Sequence, residues 1–375
     1  MKLTIKKSKM IQGITSMVVI MIFILSIMIS YNVNNLANSN QFKLVIAIFA
    51  FVFLYLMKKN KSKNIFYKKD IIFKILFLIY VLSILFCFVI CNEYQLIVLP
   101  IMLVCIYSIS QKVLTNFSKM QYKYIVMLFL IAYLVTFLIF PLNSVNSKGM
   151  ILALTGILIM NLMCLNNKTS IRFFLIVTIS LYSLLLITYS RTSILSFTIV
   201  CILSYYYIFI KKLNVRNLLL LMFLFLFSIF IVFYLGDFIQ DYITRVFFHK
   251  WNTNDVTSGR SDIWTNIIEN AKLLGHFKSI NNIDAHNSYI QIMGCFGVIP
   301  FILYIILNIM IFIRIFKVKN KIIYLNFFMG WFCMSLFENL EPITSRMLPF
   351  TLFYFIHMKM LFEENFSKRR SEDMK

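Results

Sequence analysis

Long apolar runs separated by short polar breaks repeat along almost the whole chain. They lie near 11–30, 44–57, 71–91, 96–110, 124–141, 150–165, 173–190, 194–210, 217–235, 298–316, 322–337 and 347–362. A helix that crosses a bilayer needs about 20 predominantly apolar residues, and these runs approach that length. The pattern predicts an all-α polytopic membrane protein of about twelve transmembrane helices, with residues 1–375 forming a single integral membrane domain. An even number of spans puts both termini on one side. The first run, from Ile11 to Ser30, is long enough to span and lacks a small-residue cleavage site, so it is expected to stay as a helix.

Composition narrows the class. The chain is 61% hydrophobic and only 14% charged, whereas soluble domains average about 45–50% and about 25%. That excludes an ordinary soluble protein and a domain carried on one anchor. Nine glycines and five prolines leave no room for low-complexity linkers. The seven cysteines sit in or beside apolar runs with no ligand-like spacing, and their odd number prevents complete pairing. They read as small hydrophobes.

Charge sets the orientation. Lys and Arg number 37 against 14 Asp and Glu, a formal +23. In a soluble chain that excess would suggest nucleic acid. Here 27 of the basic residues fall in segments that are inside when the N-terminus is cytoplasmic, and nine fall outside, with Lys74 near the inner end of its span. The positive-inside rule therefore places both termini in the cytoplasm, and the excess needs no nucleic-acid partner. Nine of the 14 acids, including Glu93, Asp262, Asp284 and Glu338, fall outside. Functional polarity is concentrated on the outer face.

One break is long. Residues 236–289 form a large extracytoplasmic loop between the ninth and tenth spans, and such a loop in a compact protein is usually functional or disordered. Phe247, Phe248, Trp251 and Trp264 argue against disorder. Within it, Ile263, Trp264, Ile267, Ile268, Ala271 and Leu274 share one face of an amphipathic helix expected at about 262–274. Ser261 would be its N-cap and Gly275 its stop. The helix either lies at the membrane surface or packs on the spans.

Three outer-face signals accompany the loop. Arg191, in Ser190-Arg191-Thr192-Ser193, stands between two spans with almost no loop, either snorkelling to water or binding an anion. Arg260 precedes the amphipathic helix, where helix-start N–H groups and a guanidinium suit an anion. His286, in Asp284-Ala285-His286-Asn287-Ser288-Tyr289, sits where the chain returns to the membrane. Histidine is the side chain most readily used as a base near neutral pH. His357 lies inside a span and reads as structural, while His249 and His276 show no partner. No second His or Cys stands at ligand spacing on the outer face, so no metal is expected.

At these residues the chain resembles a known family. Arg191 in Ser-Arg-Thr-Ser, Ser258-Gly259-Arg260-Ser261 with Trp264, and His286-Asn287-Ser288-Tyr289 leading to Gly294 and Gly297 are similar, in order and separation, to motifs of the O-antigen ligase/polymerase family. The motifs are confined to about 190–297. The resemblance implies a C-type membrane glycosyltransferase fold in the bacterial cytoplasmic membrane, with its active site extracytoplasmic. It implies a polyprenyl-diphosphate-linked oligosaccharide donor, a glycan acceptor, and no metal or other cofactor. Arg191 and Arg260 would hold the diphosphate and His286 would deprotonate the acceptor hydroxyl. Arg245, Asn287, Tyr289 and Arg346 are secondary candidates. A chain-length regulator and a flippase would be partners.

Within that family, a polymerase joins repeat units into a surface polysaccharide such as O-antigen or capsule, and a ligase moves the finished glycan to another acceptor. The abundance of Lys, Asn, Ile and Phe fits an AT-rich genome and favours the polymerase. A flippase or other transporter is the alternative of a different class, but transporters place ionisable groups near the midplane. The span interiors here hold almost none, and Pro100 and Gly156 are their few expected breakers.

Overall fold

The computed structural model describes residues 71–113, 119–139, 145–166, 170–188, 190–211, 260–278, 284–340 and 348–372. The predicted spans at 11–30, 44–57 and 217–235 lie outside these residues, as do Arg245, His249, Arg346 and the first half of the long loop. Among the described residues the chain is helical and has no strand. In chain order the helices are α1 (Ile71–Ile90), α2 (Val98–Val113), α3 (Lys119–Ile139), α4 (Val145–Leu165), α5 (Ile171–Ile187) and α6 (Arg191–Lys211). They continue as α7 (Arg260–Glu269), α8 (Ser288–Phe296), α9 (Val298–Ile315), α10 (Lys321–Ser335) and α11 (Leu348–Glu372). Nine of these occupy the nine apolar runs that fall on described residues.

Local sequence explains the helix starts. Pro100 and Pro300 each stand third in their helices, where a missing N–H has no intrahelical partner to lose. Pro100 is therefore not the mid-span breaker expected from its place in the run. Ser170 caps α5 by accepting from Phe173 N, and Asn287 caps α8 by accepting from Tyr289 N and Ile290 N.

Among the described residues four helices are long and apolar enough to cross a membrane: α1, α4 over Lys148–Leu165, α6 over Arg191–Ile208, and α9. Their outward faces suit lipid. On α9, Ile299, Ile302, Ile306, Ile309 and Ile313 are exposed at helical spacing, while Tyr304, Leu307, Ile311 and Ile315 face the interior.

The centre is built on small residues. α6 packs most extensively on α10 and α4, and glycines let the backbones approach. A Cβ on Gly156 would lie 2.6 Å from the Phe197 ring, and one on Gly330 would lie 2.6 Å from Ile157 Cδ1. Gly156 is thus a packing notch rather than a break. Ser196 Oγ donates to Gly330 O across the same contact (2.7 Å). Lipid tails are as apolar as leucine, so close packing and interhelical hydrogen bonds must supply the association.

A buried polar chain adds to this. Asn326 Nδ2 donates to Asn161 Oδ1 (3.1 Å) and Ser204 Oγ (2.8 Å). Asn161 Nδ2 donates to Tyr122 Oη and Ile323 O, both at 3.1 Å. Tyr122 Oη lies 3.1 Å from His357 Nε2, and the other ring nitrogen lies 2.8 Å from Phe353 O. If Nδ1–H donates to that carbonyl, Nε2 accepts from the tyrosine and every link is satisfied. The chain ties α3, α4, α6, α10 and α11 together, which is the structural role expected of His357.

The two ends of the bundle differ. At one, Glu364 accepts from Asn320 N, Asn320 Nδ2 and Tyr324 Oη, and Arg314 stacks on Phe362. At the other, Arg191, Arg260, His286 and Glu338 come together.

Candidate active site

The loop helix is shorter than its apolar pattern predicts. α7 runs Arg260–Glu269, so Ser261 lies inside the helix rather than capping it, and the chain leaves the helix before Ala271 and Leu274. The cause is long-range. Lys272 O and Leu273 O accept from Val298 N and Ile299 N (2.9 and 3.1 Å), and Gly275 N and Phe277 N donate to Phe296 O and Gly294 O. Residues 272–277 thus cap the start of α9 and line the end of α8, and cannot also continue α7. Gly297 makes this possible: its φ is +99°, and a Cβ there would lie 2.7 Å from Lys272 O. His276 Nδ1 lies 3.8 Å from Glu93 Oε2, so it has the partner that its surroundings in the sequence did not show.

The apolar face of α7 divides accordingly. Ile267 is buried, and Trp264 packs inward with its Nε1 donating to Ala285 O (2.6 Å). Ile263 and Ile268 remain exposed. α7 is therefore packed on the 284–296 segment and keeps part of its apolar surface outward. The Trp264 bond fixes Ala285, whose N–H donates to Gln291 Oε1 (2.9 Å), and so positions His286 next to it.

His286 has φ +48°, in the left-handed region that residues other than glycine seldom adopt. Its Nδ1 lies 3.6 Å from Glu338 Oε2 and its Nε2 lies 3.6 Å from Asp284 Oδ2. The Glu338 side chain is only 7% exposed, whereas that of Asp284 is 64% exposed. Glu338 also faces Arg260, with Oε1 lying 3.9 Å from Nη2. Arg260 Nη1 donates to Phe337 O (2.7 Å). One buried carboxylate therefore stands between the guanidinium and the imidazole.

Arg191 opens α6, half-buried, and lies close enough to Arg260 for the two positive charges to repel each other. Its turn is held from below. A Cβ on Gly149 of α4 would lie 2.3 Å from Ser190 Cβ, and Ser190 and Ser193 share a buried hydrogen bond of 2.8 Å. All three primary candidates from the sequence, Arg191, Arg260 and His286, are thus found at one end of the bundle.

The secondary candidates fare differently. Asn287 is committed to structure: its Oδ1 caps α8 and its Nδ2 donates to Leu336 O (2.9 Å). The Tyr289 ring packs against Tyr304 and Phe332, and its hydroxyl is buried.

The segment that carries no motif in the sequence and yet lines the site is 336–340, just past α10. Besides Glu338 and the two carbonyls already named, Asn339 Oδ1 accepts from Asn287 N (3.1 Å), and Ser288 Oγ donates to Glu338 O (2.9 Å) while accepting from Leu340 N (2.7 Å). The only sequence signal was an acid placed just after an apolar run on the expected outer face. Among the described residues no group of His, Cys, Asp and Glu has the arrangement of a metal site.

Compared with known proteins, residues 174–305 match the model of a family described as O-antigen ligase. No curated protein matches the chain.

Proposed function

From the match of residues 174–305 to the family described as O-antigen ligase, we propose that the protein is a membrane glycosyltransferase of the O-antigen ligase/polymerase family. It acts on the outer face of the cytoplasmic membrane and polymerises polyprenyl-diphosphate-linked oligosaccharide repeat units into a surface polysaccharide. The observation that carries the reading is the convergence of two arginines and a carboxylate-flanked histidine at one end of an apolar bundle.

The chemistry follows from those groups. The acceptor hydroxyl oxygen attacks the anomeric carbon of the donor, and the bond from that carbon to the diphosphate breaks. The electron pair leaves with the diphosphate, whose charge Arg191 and Arg260 meet. The hydroxyl proton passes to His286. With Nδ1–H facing the buried Glu338 carboxylate 3.6 Å away, the Nε2 lone pair is left to take that proton. The donor lipid stays in the bilayer around α1 and α9, whose outward faces are apolar.

The family description itself supports a second reading, a ligase that transfers finished glycan once to another acceptor. Purified protein in liposomes, given the lipid-linked oligosaccharide that accumulates in cells lacking this chain, separates the two. A ladder of products with release of polyprenyl diphosphate is the polymerase result. Turnover only after a second acceptor is added is the ligase result. His286→Ala should lose about 10²–10⁴ in rate while still binding donor; near-normal turnover would remove His286 from the mechanism.

A further inference from the structure

We propose that Asn339 is a positioning residue that holds His286 in its left-handed backbone conformation and so aims the ring. The inference rests on the reading that His286 takes the acceptor proton.

A residue with a side chain does not stay at φ +48° without restraint. The restraint on His286 comes from both sides of it in sequence. Asn339 Nδ2 donates to Asp284 Oδ1 (2.6 Å), two residues before, and Asn339 Oδ1 accepts from Asn287 N (3.1 Å), one residue after. Asp284 Oδ1 also accepts from His286 N (3.3 Å), closing the turn. A single amide thus clamps the two flanks of the strained residue. The role needs a donor and an acceptor on one short side chain, which an amide has and a carboxylate or an apolar group lacks.

Asn339 is itself held. The carbonyl before it, Glu338 O, accepts from Ser288 Oγ, and the N–H after it, Leu340 N, donates to the same hydroxyl. Its neighbour Glu338 places a carboxylate beside His286 Nδ1. The pair Glu338-Asn339 therefore sets the ring through one side chain and the backbone beneath the ring through the other. Strain held by surrounding contacts at a reactive residue is a recognised form of preorganisation.

The test is a double-mutant cycle on the purified protein in liposomes, with the lipid-linked oligosaccharide from cells lacking this chain as substrate and polyprenyl diphosphate release as readout. Asn339→Asp puts a carboxylate opposite Asp284 where a hydrogen bond stood, and should lower kcat by about 10²-fold with little change in donor KM. In an Asp284→Asn background the same substitution meets an amide instead, and should cost much less. A loss equal in both backgrounds, a loss expressed mainly in KM, or wild-type kcat for Asn339→Asp overturns the proposal. His286→Ala runs beside them. If it is inactive while Asn339→Asp turns over normally, the positioning role alone fails; if it is active, the reading of His286 fails and the positioning role with it.

Discussion

Gly149→Ala tests whether the site depends on how closely α4 approaches the Ser190–Ser193 turn. The added Cβ would stand 2.3 Å from Ser190 Cβ, 2.6 Å from Ser190 Oγ and 2.9 Å from Ser193 Oγ. Carbon atoms need a separation of about 3.5 Å, so the two must part by about 1 Å. Ser190 cannot rotate clear, because it and Ser193 are buried and hydrogen-bonded to each other. The displacement passes to the start of α6, where Arg191 is the next residue. A misplacement of about 1 Å in a positioned group can cost about 10²-fold in rate, and that is the loss expected in polyprenyl diphosphate release per mole of protein in liposomes. Gly156→Ala is the control. It overpacks the same helix pair, with its Cβ 2.6 Å from the Phe197 ring, but seven residues from Gly149 and away from the turn. It should lower thermal stability by about 1–3 kcal/mol and leave turnover of the folded protein largely intact. Near-normal turnover of Gly149→Ala would refute the argument, and so would an equal loss in Gly156→Ala.

Four further outcomes are expected. Arg191→Ala and Arg260→Ala should each stop glycan chain growth at normal membrane levels, with lysine rescuing poorly because it lacks the two-pronged guanidinium geometry; long polymer in either alanine variant would count against diphosphate binding. Glu338→Gln should reduce turnover by about 10²-fold or more, since one of the two oxygens becomes an NH2 facing either His286 or Arg260 where an acceptor stood, and the negative charge between them is lost; turnover assays with donor binding measured in parallel decide it. Asn161→Leu removes three interhelical hydrogen bonds, which at roughly 0.6 kcal/mol apiece lowers stability by about 2 kcal/mol, visible as a lower unfolding temperature in detergent with turnover unchanged. A cysteine introduced at residue 255 should react with an impermeant thiol reagent from outside in a cysteine-free background and one at residue 62 should not, as the charge bias requires.

Much of the helical layout was legible because it rests on one dominant force. Runs such as Ile71–Ile90 and Val298–Ile315 are predominantly apolar, and their backbone groups can be satisfied in lipid only as helices. That Arg191, Arg260 and His286 lie at one end of the bundle could be anticipated because only nine of the 37 basic residues fall in the expected outer segments. What the sequence did not reveal is set by contacts between distant segments. Nothing near Leu274 announces that Lys272 O and Leu273 O are needed by the N–H groups of Val298 and Ile299, so the loop helix was drawn too long. Glu338 and Asn339 are about fifty residues from His286 and carry no motif. Asn287 carries a local signal of its own: an asparagine just before an apolar helix suits an N-cap, and its Oδ1 takes that role.

The placement of the site at helix ends has a physical logic. Arg191 opens α6, Arg260 opens α7, His286 stands two residues before α8, and Glu338 lies three residues after α10. Such positions borrow the rigidity of the packed helices while standing at the end of the apolar bundle. Three of the four stand at helix starts, where the helix dipole gives the region a positive field on which the two guanidiniums build. Glu338 offsets only part of that field. At 3.9 Å from Arg260 and 3.6 Å from His286 it is too far for a tight hydrogen bond to either. In the proposed mechanism the carboxylate can therefore face the His286 ring without neutralising the Arg260 guanidinium beside it.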